Sequence, residues 1–321
     1  VVKKVILDID TGIDDALAIL YLLKHPNVEV KGLTTGFGNV SVEQATFNTL
    51  QIAELAGASD VPVFAGASRP FLREWKGPVV HVHGENGIGN VSLPAPIAKA
   101  QEERASDFIV RAVNEEPGEI SVITVGRMTN LAEALAKDPS LPKKVKEVVI
   151  MGGAVTVPGN VTPVSEANIA GDPEASNMVF EAGFPLTMVG LDVTMQTQIT
   201  AEDMVWMVSQ KDETNAELID ALDEMVRFRL DAYKKMDGID GSPLHDPLAV
   251  AVTLHPDMVK TKPMLVAIET KGSLSSGATI ADLRGREGSH PNVNVCLEVD
   301  AERFIKEFVE VVSGKQREVL E

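Results

Sequence analysis

The sequence predicts an α/β fold: a mainly parallel, open, Rossmann-like central sheet flanked by helices, with the active site at the carboxyl ends of the strands. Two observations carry this expectation. Short β-branched runs that read as buried strands alternate with longer stretches of helical spacing, the pattern of βαβ units covered on both faces. The 321 residues are 44% hydrophobic but only 4% aromatic, which gives a large aliphatic core without the bias of a disordered or membrane-embedded chain. With no repeat, low-complexity tract or linker in view, residues 1–321 read as a single domain.

The strands are expected at Val5–Ile9, Val28–Thr35, Ile120–Val125, Val145–Met151 and Pro185–Leu191, where β-branched and aliphatic residues run together. Helical spacing covers Ala16–Lys24, Val42–Ala56, Ala105–Asn114 and Asn130–Lys137. Two long irregular stretches interrupt the alternation, Gly66–Pro96 and Gly152–Asp172, and loops of that length inside a domain are usually lids or binding segments. Farther on, a helical pattern over Ala216–Lys235 stops at the turn Asp237–Gly241, and another helix starts near Asp246. Strands at Met264–Glu269 and Val293–Val299 and a helix at Ala301–Val312 complete the pattern.

Acidic residues outnumber basic ones 47 to 29, a formal net charge of −18. Such a field repels a phosphate backbone, so polymeric nucleic acid is excluded as a partner. A single cysteine, Cys296, offers neither a disulfide nor a thiolate metal site and points to a reducing compartment. The apolar stretch Ala16–Leu23 is too short to span a bilayer and follows aspartates rather than a basic leader, so a cytoplasmic enzyme without a membrane partner is expected.

The strongest local signal is Asp8-Ile9-Asp10-Thr11-Gly12-Ile13-Asp14-Asp15, four carboxylates in eight residues where a strand turns into a helix. A helix N-terminus accommodates one or two acids by capping and through its dipole. Four need a cation or donors, because like charges at this spacing raise one another's pKa. Oxygen donors without a neighbouring histidine or thiolate favour calcium or magnesium. Asn160, Glu166 and Asn168 form a second set, suited to sugar hydroxyls that each need a donor and an acceptor. The third is Leu244-His245-Asp246-Pro247 at a helix start, a sequence that capping alone also explains.

Together these segments resemble the inosine-uridine family of nucleoside hydrolases over nearly the whole chain. The resemblance also rests on Thr34–Val40, His83-Gly84 with Gly87-Ile88-Gly89, Thr129–Ala132, Met151–Gly153, Asp172–Ala175 and Gly190–Thr194, in the family's order. It implies an enzyme that cuts the N-glycosidic bond of a ribonucleoside, with Ca2+ as cofactor and a homodimeric or homotetrameric assembly. It further implies calcium ligation by Asp10, Asp15, Asp246 and the Val125 carbonyl, the ion holding the catalytic water and two ribose hydroxyls. Asp10 would be the general base. Asp14, Asn160, Glu166 and Asn168 would grip the ribose, with Asn39 in support; His245 would act as acid toward the departing base, and His83 would lie nearer the pocket mouth.

The sequence departs from the family pattern at Thr11, at Arg127-Met128 where Pro-Leu or Gly-Leu is usual, at Ala167 and at Met195. Arg127 bears on the role of Val125, and Ala167 and Met195 on the shape of the base pocket. Two alternatives stay open at this level. A haloacid-dehalogenase-like phosphatase also places Asp-x-Asp after its first strand, although Gly12 stands where its motif needs Thr or Val. A noncatalytic nucleoside- or sugar-binding protein would keep the pocket without the reaction.

Overall fold

A computed structural model of the chain describes residues 2–284 and 290–317. Eight strands form the main sheet: β1 Lys3–Ile9, β2 Val28–Thr35, β3 Val63–Ala65, β4 Ile120–Thr124, β5 Glu147–Met151, β6 Leu186–Val189, β7 Val259–Met264 and β8 Val293–Val299. Their order across the sheet is β3-β2-β1-β4-β5-β6-β8-β7, and every neighbouring pair is parallel except β8 with β7. The expected mainly parallel α/β architecture is therefore present. The chain leaves β1 toward β2 on one side and returns to β4 on the other, so a crevice opens beyond the carboxyl ends of β1 and β4, where ligands bind in open α/β sheets.

Strand periodicity assigns side chains to the two faces. Val5, Leu7 and Ile9 of β1, Ile123 of β4 and Val149 and Met151 of β5 enter one buried cluster, with the helices Ile13–Lys24, Val42–Leu55, His245–Leu254 and Ala301–Ser313. Ile6, Val122, Val148 and Ile150 point the other way, into a cluster with Ala105–Glu115, Thr129–Lys137 and Pro173–Glu181. Each strand thus serves two cores, which is why its sequence is apolar at successive positions. Helix Ile13–Lys24 is buried from Ile13 through Leu22, enclosed by the sheet and its neighbouring helices. Gly32 is required by a close approach: a Cβ there would come within 2.7 Å of Phe108, which stacks on Phe64 with ring centroids 3.8 Å apart.

Several expected bounds shift. The Met264–Glu269 strand divides, since β7 ends at Met264 and Val266–Ile268 pairs instead with Thr279–Ala281 in a separate two-stranded ribbon. β7 reads Val-Lys-Thr-Lys-Pro-Met with four exposed central residues, an edge strand whose polarity hides it from a search for apolar runs. The Pro185–Leu191 strand stops at Val189, and Leu191–Thr194 is a single helical turn. Helix Ala216–Asp237 ends at Gly238 with φ 70°, the left-handed termination that the Asp237–Gly241 turn signals. A second ribbon, Gln198–Thr200 with Gly241–Pro243, delivers the chain directly to His245. No helix among the described residues is long and apolar enough to cross a membrane.

Candidate active site

At the carboxyl ends of β1, β4 and β5 lies a cavity of about 610 Å³, a volume suited to one small molecule. Asp14, Asn39, His83, Val125, Asn160, Glu166, Asn168, His245 and Asp246 line it, so nine of the eleven site residues read from the sequence share one cavity. Asp10 and Asp15 sit just behind. Asn39 joins them to the cavity, its amide nitrogen 3.1 Å from Asp10 Oδ1 and 3.1 Å from Asp15 Oδ2.

The turn between β1 and helix Ile13–Lys24 is built on carboxylate capping. Asp15 accepts from the Asp10 backbone N–H at 3.0 Å and from that of Gly12 at 2.9 Å, closing the first turn on itself. Asp14 faces a different helix: its Oδ2 accepts from the N–H groups of His245 (3.0 Å) and Asp246 (3.1 Å), and its Oδ1 meets the guanidinium of Arg229. Asp14 therefore fixes the start of helix His245–Leu254 to the start of Ile13–Lys24. Asp8, the first acid of the run, stands apart from the cavity. It accepts from Thr34 (2.6 Å), Asn130 (2.8 Å) and Thr124 (3.3 Å), tying β1 to β2 and β4, and burial pushes its carboxyl up to about 7.

On the other wall, Glu166 caps the short helix Ala167–Gly171, accepting from Asn168 N at 2.8 Å, Gly153 N at 2.9 Å and Ile169 N at 3.2 Å. Burial still raises its pKa despite these donors. Asn168 donates to the Val125 carbonyl at 2.7 Å and to that of Met151 at 3.0 Å, so Val125 does aim its oxygen into the site. Asn160 is exposed and accepts from Ala167 N at 3.0 Å. Ala167 lines the cavity, whereas Met195 packs against the core outside it.

The two histidines differ. His245 is held between Thr194 Oγ1, 2.7 Å from Nδ1, and Tyr233 Oη, 3.0 Å from Nε2, and burial pushes its pKa down to about 4. His83 is set deeper than the mouth expected for it. It is 6% exposed, accepts from Ile13 N at 2.9 Å, and packs so tightly on Gly12 that a Cβ there would lie 2.4 Å from its ring. The rim carries His81 instead, with Trp75, whose ring meets the buried Phe37 edge-on.

Asp10, Asp15, Asp246 and the Val125 carbonyl offer only oxygen, the donor set of a hard divalent cation. Burial first, and neighbouring aspartates second, hold the pKa values of Asp15 and Asp246 well above the carboxylate range. One cation has already been drawn in. Arg127 lays its guanidinium on Asp10, 3.2 Å from Asn39 Oδ1 and 3.3 Å from Asn168 Oδ1. The three carboxylates do not each bring an oxygen within 4.8 Å of the others.

The sequence profile of the inosine-uridine preferring nucleoside hydrolases matches residues 5–306. The chain belongs to this family. It is 41% identical to uridine nucleosidase 1 of Arabidopsis thaliana over 95% of this chain and 91% of that one. It is 35% identical to the pyrimidine-specific ribonucleoside hydrolase RihA of Citrobacter koseri, over 94% and 95% of the two chains. The solved structure of a purine-preferring ribonucleoside hydrolase from Gardnerella vaginalis superposes with a TM-score of 0.92, at 38% identity, covering 97% of this chain and 98% of that one. This nucleoside hydrolase is a metal-dependent enzyme that hydrolyses ribonucleosides, and the phosphatase and noncatalytic alternatives fall away.

Among the residues of the hydrolase's pocket that escape a reading by motif are Trp75, Arg229 and Tyr233. Arg229 is 2% exposed and lies one helical turn before Tyr233, its guanidinium 5.4 Å from that ring. A signal existed for it, since Arg229 falls on the apolar face of Ala216–Asp237 among Leu222, Met225 and Val226. An arginine there requires a buried acid, and Asp14 is that acid.

Proposed function

We propose that this enzyme, acting as one domain over residues 1–321, releases free nucleobase and ribose from ribonucleosides with calcium as its metal. The carrying observation is that buried carboxylates from the turn and helix after β1 and from helix His245–Leu254 meet the polar set Asn160, Glu166 and Asn168 around one cavity. Asp10, Asp15, Asp246 and the Val125 carbonyl would hold calcium, which supplies fixed positive charge and gathers oxygen ligands when bound.

The remaining steps belong to the side chains. Asp10, oriented by Asn39 through both carboxylate oxygens, takes a proton from the attacking water. Glu166, Asn160, Asn168 and Asp14 grip the ribose hydroxyls, and the surrounding negative charge favours the oxocarbenium character that builds as the N-glycosidic bond lengthens. The base leaves toward His245, Tyr233 and Arg229 on one side and the Trp75 and His81 rim on the other, with His83 lining the inner wall. Because the relatives named above are variously uridine, pyrimidine and purine enzymes, this rim is where base preference would be set.

Release of reducing sugar from inosine and uridine, before and after exhaustive chelation, tests the reading. Turnover should vanish on chelation and return with calcium; full activity in protein shown by elemental analysis to be metal-free would overturn it. The proposal extends to a cytoplasmic homodimer or homotetramer. Buried, reduced Cys296 fits the compartment, and the exposed Leu274, Ile280 and Leu283 offer apolar surface for a second copy to cover, which sedimentation would count.

A further inference from the structure

At the opposite ends of the two helices that open the active site, a second constellation stands outside everything used above. His25 caps the C-terminus of helix Ile13–Lys24, His255 caps the C-terminus of His245–Leu254, and Glu307 reaches across from the middle of Ala301–Ser313. Their ligand atoms converge. His25 Nε2 and His255 Nε2 are 3.4 Å apart, with Glu307 Oε1 3.1 Å from the second and 3.9 Å from the first. Among the described residues this is the one group of three His, Cys, Asp or Glu side chains whose donor atoms all lie within 4.8 Å.

We propose that His25, His255 and Glu307 form a second metal site, for a borderline transition ion of the zinc class, which clamps the remote ends of the two helices that carry the catalytic carboxylates. A tetrahedral ion with bonds of about 2.0–2.1 Å separates its ligand atoms by about 3.3–3.4 Å, so the observed triangle closes on such an ion with movements of a few tenths of an ångström. The donor chemistry excludes a calcium-type site, because two imidazoles and one carboxylate are nitrogen-rich and few. Supporting groups are in place. Tyr21 Oη lies 2.6 Å from Glu307 Oε1 and fixes the carboxylate, as outer hydrogen bonds do at metal sites. Arg303, one turn before Glu307, is turned away to Asp257 at 2.7 Å and leaves the carboxylate without a competing guanidinium. The His25 side chain is 8% exposed. His255 and Glu307 are 33% and 23% exposed, which leaves the fourth position to water.

One contact must yield. The Asn27 N–H points at His25 Nδ1 from 3.4 Å, and ligation through Nε2 requires Nδ1 to carry the proton. At that length the bond is at its limit, and Asn27 lies at the surface, where water replaces it.

The helix between Asp14 and His25 is about 12 residues, or roughly 18 Å, so the clamp acts at a distance from the chemistry. The test uses the whole enzyme saturated with calcium to fill the oxygen-donor site, titrated with Co2+ and followed by visible d–d absorption. One Co2+ per chain should give the intense bands of a low-symmetry site, and Zn2+ should displace it. Zn2+ should also raise Tm by about 2–8 °C. The His25→Gln/His255→Gln double variant and Glu307→Gln should each lose the bands and the Tm rise, while their calcium-loaded turnover of inosine stays within about twofold of wild type. Absence of the bands in wild type overturns the proposal, as does their persistence in both variants. Bands that survive in the double variant but vanish in Asp10→Asn would place the ion in the active site and equally reject it. Co2+ bands without any Zn2+-dependent Tm rise would overturn the clamp.

Discussion

Arg127 and Asp10 form a buried ion pair, 8% and 1% exposed at the side chain, in which the guanidinium covers the carboxylate proposed as general base. The arginine is cradled by two glycines. A Cβ on Gly38 would stand 2.4 Å from Arg127 Nη1, and one on Gly171 would stand 2.7 Å from its Cγ. A cation reaching Asp10 must therefore compete with one supplied by the protein.

Replacing Arg127 by Met, which keeps bulk against Gly38 and Gly171 but removes the charge, should tighten calcium binding by about tenfold or more in calorimetric titration. The same variant should be less stable than wild type in chelator, by about 3–5 kcal/mol, because removing one partner strands the other charge in the interior. Saturating calcium should erase that deficit. An unchanged or weaker calcium affinity would show that Arg127 helps to build the site rather than occupying it.

Recognition centred on ribose has its own test. Glu166, Asn160, Asn168 and Asp14 are the polar groups proposed to meet the hydroxyls, and a site built to hydrogen-bond a hydroxyl discriminates by about 10⁴-fold or more against a substrate that lacks it. Uridine should exceed 2′-deoxyuridine in kcat/KM by at least about 10²-fold, and by much more than it differs from cytidine. Comparable values for the two sugars would count against the assignment.

Asp8 predicts a pH effect on stability. Its carboxyl is raised from 3.8 to about 7 by burial, so between those values the folded state binds the proton that the unfolded state has released. The stability associated with protonated Asp8 is thus complete below about pH 4 and is lost as pH rises through about 7. At roughly 1.4 kcal/mol per pKa unit this amounts to about 4 kcal/mol at most. Asp8→Asn, neutral throughout, should gain on wild type in Tm as pH climbs from 4 to 8. Parallel Tm curves would mean that Asp8 is already ionised in the fold.

Legibility in the sequence followed burial and local chemistry. The central strands β1, β4, β5 and β6 were readable because their buried residues are mostly aliphatic, and β2, Val-Glu-Val-Lys-Gly-Leu-Thr-Thr, by its β-branched residues although its first half is partly exposed. β3 has only three residues, and β7 is polar, so neither produces a run. Helix Ala201–Ser209 was not read from the sequence, although the structure opens it with a reciprocal cap between Thr200 and Asp203. In the site, Asp10, Asp14 and Asp15 stood out by crowding, whereas Asp8 shared the crowd and not the pocket, because strand pairing directs it to Thr34 and Thr124. The pairings of Arg127 and Arg229 were hidden for a different reason. Their partners, Asp10 and Asp14, lie 117 and 215 residues away in sequence, so only the fold pairs them.

The final prediction concerns how the nucleobase leaves. His245 is the histidine beside Asp246, at the head of a helix, with Tyr233 on Nε2 and Thr194 on Nδ1. Burial lowers its pKa to about 4, with Arg229 adding to the effect and Asp14 opposing it. At pH 7 the protonated fraction is then about 10⁻³, and it grows as pH falls. The stability held by the neutral ring is complete above about pH 6.5 and is lost progressively as pH falls from there to about 4, so each assay pH below 6.5 is paired with a check that the protein is still folded. If His245 hands a proton to the departing base, His245→Ala should slow inosine and uridine by about 10²- to 10⁴-fold in kcat and leave p-nitrophenyl riboside, whose phenolate departs unaided, nearly unchanged. Wild-type kcat on inosine should also rise relative to the activated riboside as pH drops, and the variant should lose that difference. A His245 that only shapes the wall predicts similar losses on all three substrates, mainly in KM, and no pH divergence between them. Asp10→Asn separates the two halves of the reaction: removing the base that activates water should depress every substrate alike, whatever group leaves.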